Sequence, residues 1–148
     1  MASFVYVTFI RTTAERLWEA LTEPEFTRQY WFGTHQESDW HPGSSWRLVF
    51  ADGRAADTGE VVEADKPRRL VLRWRNEFRP DFKAEGYSRC VMEIEQVGEA
   101  VKLTLTHTMD LEESQFIRGV AGGWPHILSN LKTLLETGRV LAMEPSCG

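Results

Sequence analysis

One apolar stripe runs along the segment Gly122–Gly138, whose sequence is GGWPHILSNLKTLLETG. Its members recur at helical spacing and are Trp124, Ile127, Leu128, Leu131, Leu134 and Leu135. An amphipathic helix of this kind is stable in water only when its stripe is buried against another apolar surface. The largest such surface that the rest of the chain offers is one face of a β-sheet. The stripe therefore predicts a long C-terminal helix that lies across a sheet.

Helix-breaking residues lie at the start of the same stripe. Pro125 has no N–H to donate to the carbonyl of Ala121, and Gly122–Gly123 loosen the backbone just before it. We therefore expect a kink near Gly122–Pro125, or two helices that meet there. Burial of Trp124 against the sheet is expected to fix the angle. The opposite side of the helix is expected to face water at Asn130, Lys132 and Glu136.

The remainder of the chain has the pattern of a sheet with two short helices after its first strand. Strands are predicted over residues 3–11, 35–40, 45–51, 56–64, 70–75, 87–97 and 101–111, and a loop over 76–85. Thr12–Glu15 has a capping-box pattern, and Pro24 starts the second helix. Short turns between the later strands favour antiparallel neighbours. This order predicts an α+β roll, with a curved antiparallel sheet of six or seven strands around the C-terminal helix.

Length and composition narrow the class of protein further. The 148 residues predict a single domain, with a core over 3–138 and a tail over 139–148. The net charge of −5 argues against nucleic-acid binding, and no apolar run approaches the ~20 residues that span a membrane. Cys147 lies in the tail, so we expect no disulfide with Cys90 and a reducing, cytoplasmic location.

Two polar patterns have competing interpretations. His35, Asp39 and His41 have a spacing that metal ligands could use, but no fourth ligand is evident, so a solvated segment is favoured. The basic residues between Lys66 and Lys83 could form a nucleic-acid patch. They are better explained by a solvent-facing strand whose arginines pair with glutamates of the next strand. No nucleotide-binding, zinc or serine-hydrolase signature occurs.

Three segments, in order, resemble a known family. They are TTAERLWEALTEPEFTRQYWFG, GSSWRLVFADGRAADTGEVVEADKPRRLVLRWR and GGWPHILSNLKTLLETG. They resemble the opening, the middle and the final helix of the heat shock protein 90 ATPase activator homologue-like family, in the SRPBCC (START-like) superfamily. The resemblance covers nearly all of residues 3–138. It implies a helix-grip fold with a cavity between sheet and C-terminal helix, and relatives that bind lipids, polyketides or plant hormones.

A ligand in such a cavity would meet a tryptophan-rich inner face. The candidate ligand-binding residues are Trp31, Trp46, Phe50, Trp74, Met92, His107, Met109, Trp124, Ile127, Leu128 and Leu131. His107 is the polar interruption on its strand's inward side. It is either a core histidine satisfied by a neighbour or a cavity residue that binds a ligand or moves a proton.

The leading functional hypothesis is the binding of a small hydrophobic or aromatic molecule. One alternative is a cyclase- or hydrolase-type enzyme that uses the same cavity, with His107 as acid or base. Another, which rests on the family resemblance, is a partner-binding module that activates a chaperone ATPase. The sequence predicts no cofactor, no metal ion and no membrane span, and it is compatible with a homodimer.

Overall fold

The computed structural model describes residues 1–141, so Cys147 lies outside the described residues. The elements are β1 Ala2–Ile10, α1 Ala14–Thr22, α2 Pro24–Tyr30, β2 His35–Ser38, β3 Ser45–Val49, β4 Ala55–Asp65, β5 Arg69–Asn76, α3 Pro80–Lys83, β6 Ser88–Val97, β7 Ala100–Met109 and α4 Gln115–Thr137. The short helix α3 lies where a loop was expected. Its first residue is Pro80, which tolerates this position because the first N–H of a helix needs no partner.

All seven strands form one antiparallel sheet in the order β1-β7-β6-β5-β4-β3-β2. Strands β2 to β7 follow one another as neighbours, and β1 returns to pair with β7 at the far edge. Helix α4 packs across the inner face against β1 and β7. The predicted α+β helix-grip fold is therefore confirmed. Within residues 1–141, no helix has the length and apolarity needed to cross a membrane.

Helix α4 continues through Gly122–Gly123 and Pro125, so the alternative of two separate helices is wrong. The proline removes a single backbone donor, and burial of the neighbouring side chains holds the remaining turns together. Trp124 is buried against the sheet, as expected. The helix begins after Ser114, whose hydroxyl accepts from the N–H of Ile117, and it ends at Gly138 in a left-handed conformation.

Two local expectations need correction. Asn130 is buried, not exposed: its amide donates to the carbonyl of Tyr30 at 3.4 Å and accepts from the N–H of Leu141 at 2.6 Å. The chain beyond α4 folds back over this position, which the helical pattern alone does not reveal. The capping box is right in its threonine cap, since the Thr13 hydroxyl accepts from the N–H of Arg16, but wrong in Glu15, because the third helical position is Arg16.

The predicted pairing of the β5 arginines with glutamates of the next strand is found in part on the outer face of the sheet. Arg69 lies 2.9 Å from Glu93 on the next strand, as expected for cross-strand pairing. Arg73 lies opposite Arg89, and it pairs instead with Glu60 on the other side, at 3.7 Å. These exposed pairs account for the basic segment without a nucleic-acid ligand. Each pair contributes at most about 1 kcal/mol to the free energy of unfolding.

A close backbone contact near the centre of the sheet permits two tryptophans to pack together. Gly59 lies between Trp46 and Trp74 in the register of β3, β4 and β5, and their ring centroids are 4.5 Å apart. A Cβ at position 59 would collide with the carbonyl oxygen of Arg73. Only glycine therefore fits there, because the backbone of β5 occupies the position of a Cβ.

We expect Gly59→Ala to destabilise the protein by about 3 kcal/mol or more, because the backbone of β4 must move away from β5. Gly123→Ala is a matched control: an added Cβ meets nothing within 4 Å there, and alanine favours the helix. Urea unfolding should show the control unchanged or up to about 1 kcal/mol more stable. Equal stability of the two variants would contradict the collision at Gly59.

Candidate functional site

A cavity of about 260 Å³ lies between the inner face of the sheet and the N-terminal half of α4. Its aromatic walls come from three tryptophans, Trp31, Trp74 and Trp124, and from five phenylalanines, Phe32, Phe50, Phe78, Phe82 and Phe116. Leu48, Ala56, Val120, Gly123 and Ile127 complete the apolar lining, and Thr34, Asp57 and Asn76 are its polar members. The site is thus an aromatic cavity with one small polar region.

The three tryptophans form one cluster that draws α2, β5 and α4 together. The ring centroid of Trp31 lies 5.9 Å from that of Trp74 and 5.2 Å from that of Trp124. Trp74 and Trp124 meet edge to face at 5.7 Å. Tilted and edge-to-face contacts of this kind are favourable, at about 0.5–1.5 kcal/mol per pair beyond area burial. The cluster therefore gives the cavity a fixed wall.

Behind this wall, His107 is fully buried and hydrogen-bonded through both ring nitrogens. The indole N–H of Trp124, which can only donate, lies 3.1 Å from Nδ1, so Nδ1 accepts and the neutral ring carries its proton on Nε2. Nε2 then donates to the hydroxyl of Ser88 at 2.8 Å, and that hydroxyl donates to the carbonyl of Trp74 at 2.9 Å. Every group in this chain of bonds has a partner.

This environment keeps His107 neutral. Burial lowers its pKa to about 3, because desolvation disfavours the positive charge that a second proton would bring. The rings of Trp74 and Phe116, 5.3 and 5.2 Å from the imidazole, lie on the cavity lining, and His107 itself does not. The geometry thus supports a core histidine that joins α4 to the sheet.

The polar region of the cavity is centred on Asp57, which is 6% exposed. A β-bulge lies at this point, because Leu48 pairs with Asp57 whereas Val49 pairs with Ala55. The extra residue, Ala56, bends β4 and leaves two consecutive residues, Ala56 and Asp57, on the cavity lining. Asp57 keeps the regular alternation of β4, and the bulge adds Ala56 beside its carboxyl group in an otherwise apolar wall.

Burial raises the pKa of Asp57 to about 7. The side chains of Trp74 and Asn76 oppose this rise by donating toward the carboxylate, and the nearby charge of Glu77 adds to it. Asn76 is the cross-strand partner of Asp57, and its Oδ1 accepts from the N–H of Arg79 at 2.9 Å. The Trp74 N–H lies near the carboxyl group but outside hydrogen-bonding geometry.

Helix α3 closes one side of the cavity. Phe82 packs edge to face on Phe116 at 5.7 Å, and it lies so close to Gly119 that a Cβ there would approach its ring at 2.8 Å. Just after α3, the carboxylate of Glu85 accepts from the hydroxyl of Ser114 and from the N–H of Gln115. This carboxylate holds the α3 segment to the positive end of α4.

Of the candidate residues, Trp31, Phe50, Trp74, Trp124 and Ile127 line the cavity. The others lie buried in the core outside this lining: Trp46, Met92, His107, Met109, Leu128 and Leu131. The residues that the sequence analysis missed include Asp57, Asn76 and Phe116. In a regular strand, Asp57 lies on the same face as Gly59 and Val61. This alternation is the one sequence signal that could have placed Asp57 on the inward face.

Residues 1–141 hold no cluster of three His, Cys, Asp or Glu side chains arranged to bind a metal ion. His35, the first residue of the suspected set, contacts Glu37 at 3.0 Å instead. Asp39 and His41 follow β2 at exposed positions. Cys90 is fully buried, and burial raises the pKa of its thiol, so it is an inert core residue.

A curved antiparallel sheet that grips a long C-terminal helix around an apolar cavity defines the helix-grip, START-like class of protein. Within this class, the chain belongs to the family described as Activator of Hsp90 ATPase homolog 1-like protein, whose model matches residues 11–136. A comparison of the sequence with curated proteins finds no significant match.

Solved structures have the same fold at low sequence identity. A protein from Mesorhizobium loti is 20% identical and superposes with a TM-score of 0.76 over 90% of this chain and 96% of its own. An HSP90 activator from Plasmodium falciparum is 25% identical, with a TM-score of 0.71 over 90% and 95%. The Aha1 dimer from Colwellia psychrerythraea is 17% identical, with a TM-score of 0.72 over 93% and 98%.

Asp57→Asn should stabilise the protein increasingly as pH rises. The folded-state pKa of Asp57, about 7, exceeds its ordinary value of 3.8, so folding retains a proton that the unfolded chain loses between these values. The wild type therefore loses stability as pH rises through this range, whereas an asparagine does not titrate. From pH 5 to pH 8, the advantage of the variant should grow by about 2–3 kcal/mol.

Urea unfolding at several pH values measures this difference. The control is Asp39→Asn, which removes the same charge from an exposed position. A stability difference between Asp57→Asn and the wild type that does not change with pH would show that this carboxyl titrates normally.

Proposed function

We propose that the protein binds a small, largely apolar molecule in the cavity between the sheet and α4. The proposal rests on one observation: eight aromatic side chains line an unfilled space of about 260 Å³. Unfilled apolar volume costs stability, as does a buried carboxyl group, so a core selected for stability alone would contain neither. Both become useful when a ligand occupies the space.

The rim of the cavity supports access for such a ligand. Phe32, Phe50, Phe78 and Val120 are half-buried members of the lining. Phe32 has a φ of 50°, in the left-handed region that non-glycine residues rarely adopt. Backbone strain of this kind occurs most often at binding sites. The rim thus combines exposed aromatic surface with a strained residue.

The volume favours a compact ligand. It is close to the lower end of the roughly 300–1,000 Å³ typical of small-molecule sites. A molecule of one or two rings suits this space better than a two-chain lipid or a large polyketide. Binding also agrees better with the structure than the cyclase or hydrolase alternative, because both nitrogens of His107 are committed to hydrogen bonds within the core.

A cavity-filling variant tests the proposal. Gly123 lies on the lining with open space around it, so Gly123→Leu should fill part of the cavity without breaking the helix. Gly122→Leu is the control, since Gly122 is the exposed neighbour in the same helix. Titration with aromatic compounds of one or two rings, small polyketides and fatty acids should quench tryptophan fluorescence in the wild type and in the control. Gly123→Leu should weaken binding at least tenfold.

Absence of saturable binding by any of these compounds would contradict the proposal. Equal binding by Gly123→Leu and the wild type would do the same, because the ligand would then lie elsewhere. Either result counts only if thermal melts show that the variants are folded.

A second candidate function is the activation of a chaperone ATPase. It is favoured by the family to which the chain belongs and by the similar Plasmodium falciparum protein, described as an HSP90 activator. If it holds, micromolar protein should raise the ATP turnover of an Hsp90-type chaperone. Gly123→Leu should activate as well as the wild type, since a partner surface does not need the cavity. No change in ATP turnover would count against this candidate.

A further inference from the structure

We propose that the cavity selects a small aromatic or alkyl amine in its positively charged form, with the ammonium group held between Asp57 and the tryptophan cluster. This inference rests on the proposed ligand-binding function and specifies the chemistry of the ligand. Its basis is the arrangement of charges and donors around the cavity lining.

Asp57 is the ionisable side chain among the residues that line the cavity. Within residues 1–141 it forms no ion pair, and the cavity lining contains no lysine, arginine or histidine. A negative charge at Asp57 therefore has no positive partner in the protein. An organic cation in the cavity would supply one.

The fixed groups next to Asp57 are hydrogen-bond donors. Asn76 accepts through Oδ1 from the N–H of Arg79, which turns its amide N–H₂ toward the carboxyl group. The indole of Trp74 can only donate. Two donors cannot satisfy all acceptor sites of a carboxylate, which can accept about four hydrogen bonds. The remaining acceptor sites face the cavity and can accept from a donor on the ligand.

The walls beside the carboxyl group favour a cation over a neutral donor. Trp31, Trp74 and Trp124 pack on one another with ring centroids 5.2–5.9 Å apart, and all three line the cavity, so a ligand lies against this cluster. The faces of indole rings attract cations, most strongly in sites that exclude water. A neutral alcohol could donate to Asp57 but would not gain this attraction, and a carboxylate ligand would be repelled.

The basic side chains near the cavity do not supply the positive charge that Asp57 lacks. Arg54 stacks on the rim residue Phe50 and Arg79 on the buried Phe82, but they pair with Asp52 and Asp81, at 2.8 and 2.9 Å. Arg75 and Lys83 are likewise paired with Glu77, at 2.7 and 3.2 Å.

The protonation state of Asp57 predicts how amine affinity depends on pH. Glu77, at the end of β5, is the charged group that acts on the Asp57 carboxyl, and the cavity-facing residues of β3 and α4 bring no titratable group. With a pKa of about 7, Asp57 is mostly protonated at pH 6 and mostly ionised at pH 8. Amine affinity should therefore rise about tenfold between these values, following the ionised fraction.

Isothermal titration with four probes of one shape tests the proposal: 2-phenylethylamine, 2-phenylethanol, 3-phenylpropanoate and propylbenzene. In the wild type at pH 8, the amine should bind at least tenfold more tightly than propylbenzene or the alcohol, and the carboxylate should bind most weakly. Asp57→Asn should remove the preference for the amine and its dependence on pH. Asp39→Asn should keep both.

The remaining outcomes distinguish failure of the amine inference from failure of the apolar ligand-binding proposal. Binding of propylbenzene or the alcohol as tight as that of the amine would overturn the selection of a cation while leaving apolar ligand binding intact. Retention of the amine preference in Asp57→Asn would also overturn it. If none of the four probes binds the folded wild type, both the amine inference and the apolar ligand-binding proposal at this cavity fail.

Discussion

The hydrogen-bond chain from Trp124 through His107 and Ser88 to the carbonyl of Trp74 connects the long helix to the centre of the sheet. It joins α4, β7, β6 and β5 inside the apolar core, where unpaired polar groups would cost about 1–3 kcal/mol each. Apolar packing has little directionality, so it allows the helix to slide or rotate on the sheet. A chain of directed bonds permits one position only, and the geometry of the cavity follows from that position.

Trp74 shows how this constraint extends to the candidate site. Its backbone carbonyl ends the hydrogen-bond chain, one side of its ring packs on Trp46 across Gly59, and its other neighbours are Trp31 and Trp124. The indole is therefore held from several directions before a ligand arrives. A wall that is already ordered reduces the entropy that binding must overcome. The cavity is preorganised because its walls are also parts of the core.

The sequence predicted the long helix, the strands and much of the aromatic wall, because each leaves a periodic apolar pattern. It did not predict the polar part of the site, because that part depends on register. The alternation of Asp57 with Gly59 and Val61 is a weak signal next to the bulge at Ala56, and Asn76 lies opposite Asp57 only in the observed pairing of β4 and β5. Phe116 precedes the stripe that defined the helix. For His107, periodicity indicated burial but not which of its two interpretations applied, since its partners come from other elements.

The two halves of helix α4 have different roles. In the first half of α4 the cavity-facing residues are Phe116, Val120, Gly123, Trp124 and Ile127. In the second half, Leu128, Leu131 and Leu134 fill the core, and Lys132 donates to the carbonyl of Phe9 at the end of β1. The two halves can therefore evolve at different rates. Substitutions at Phe116, Val120 or Gly123 can reshape the cavity for another compound while Trp124 and the second half keep the helix in place. Within a family of one fold and low sequence identity, this division lets ligand preference diverge without a matching loss of stability.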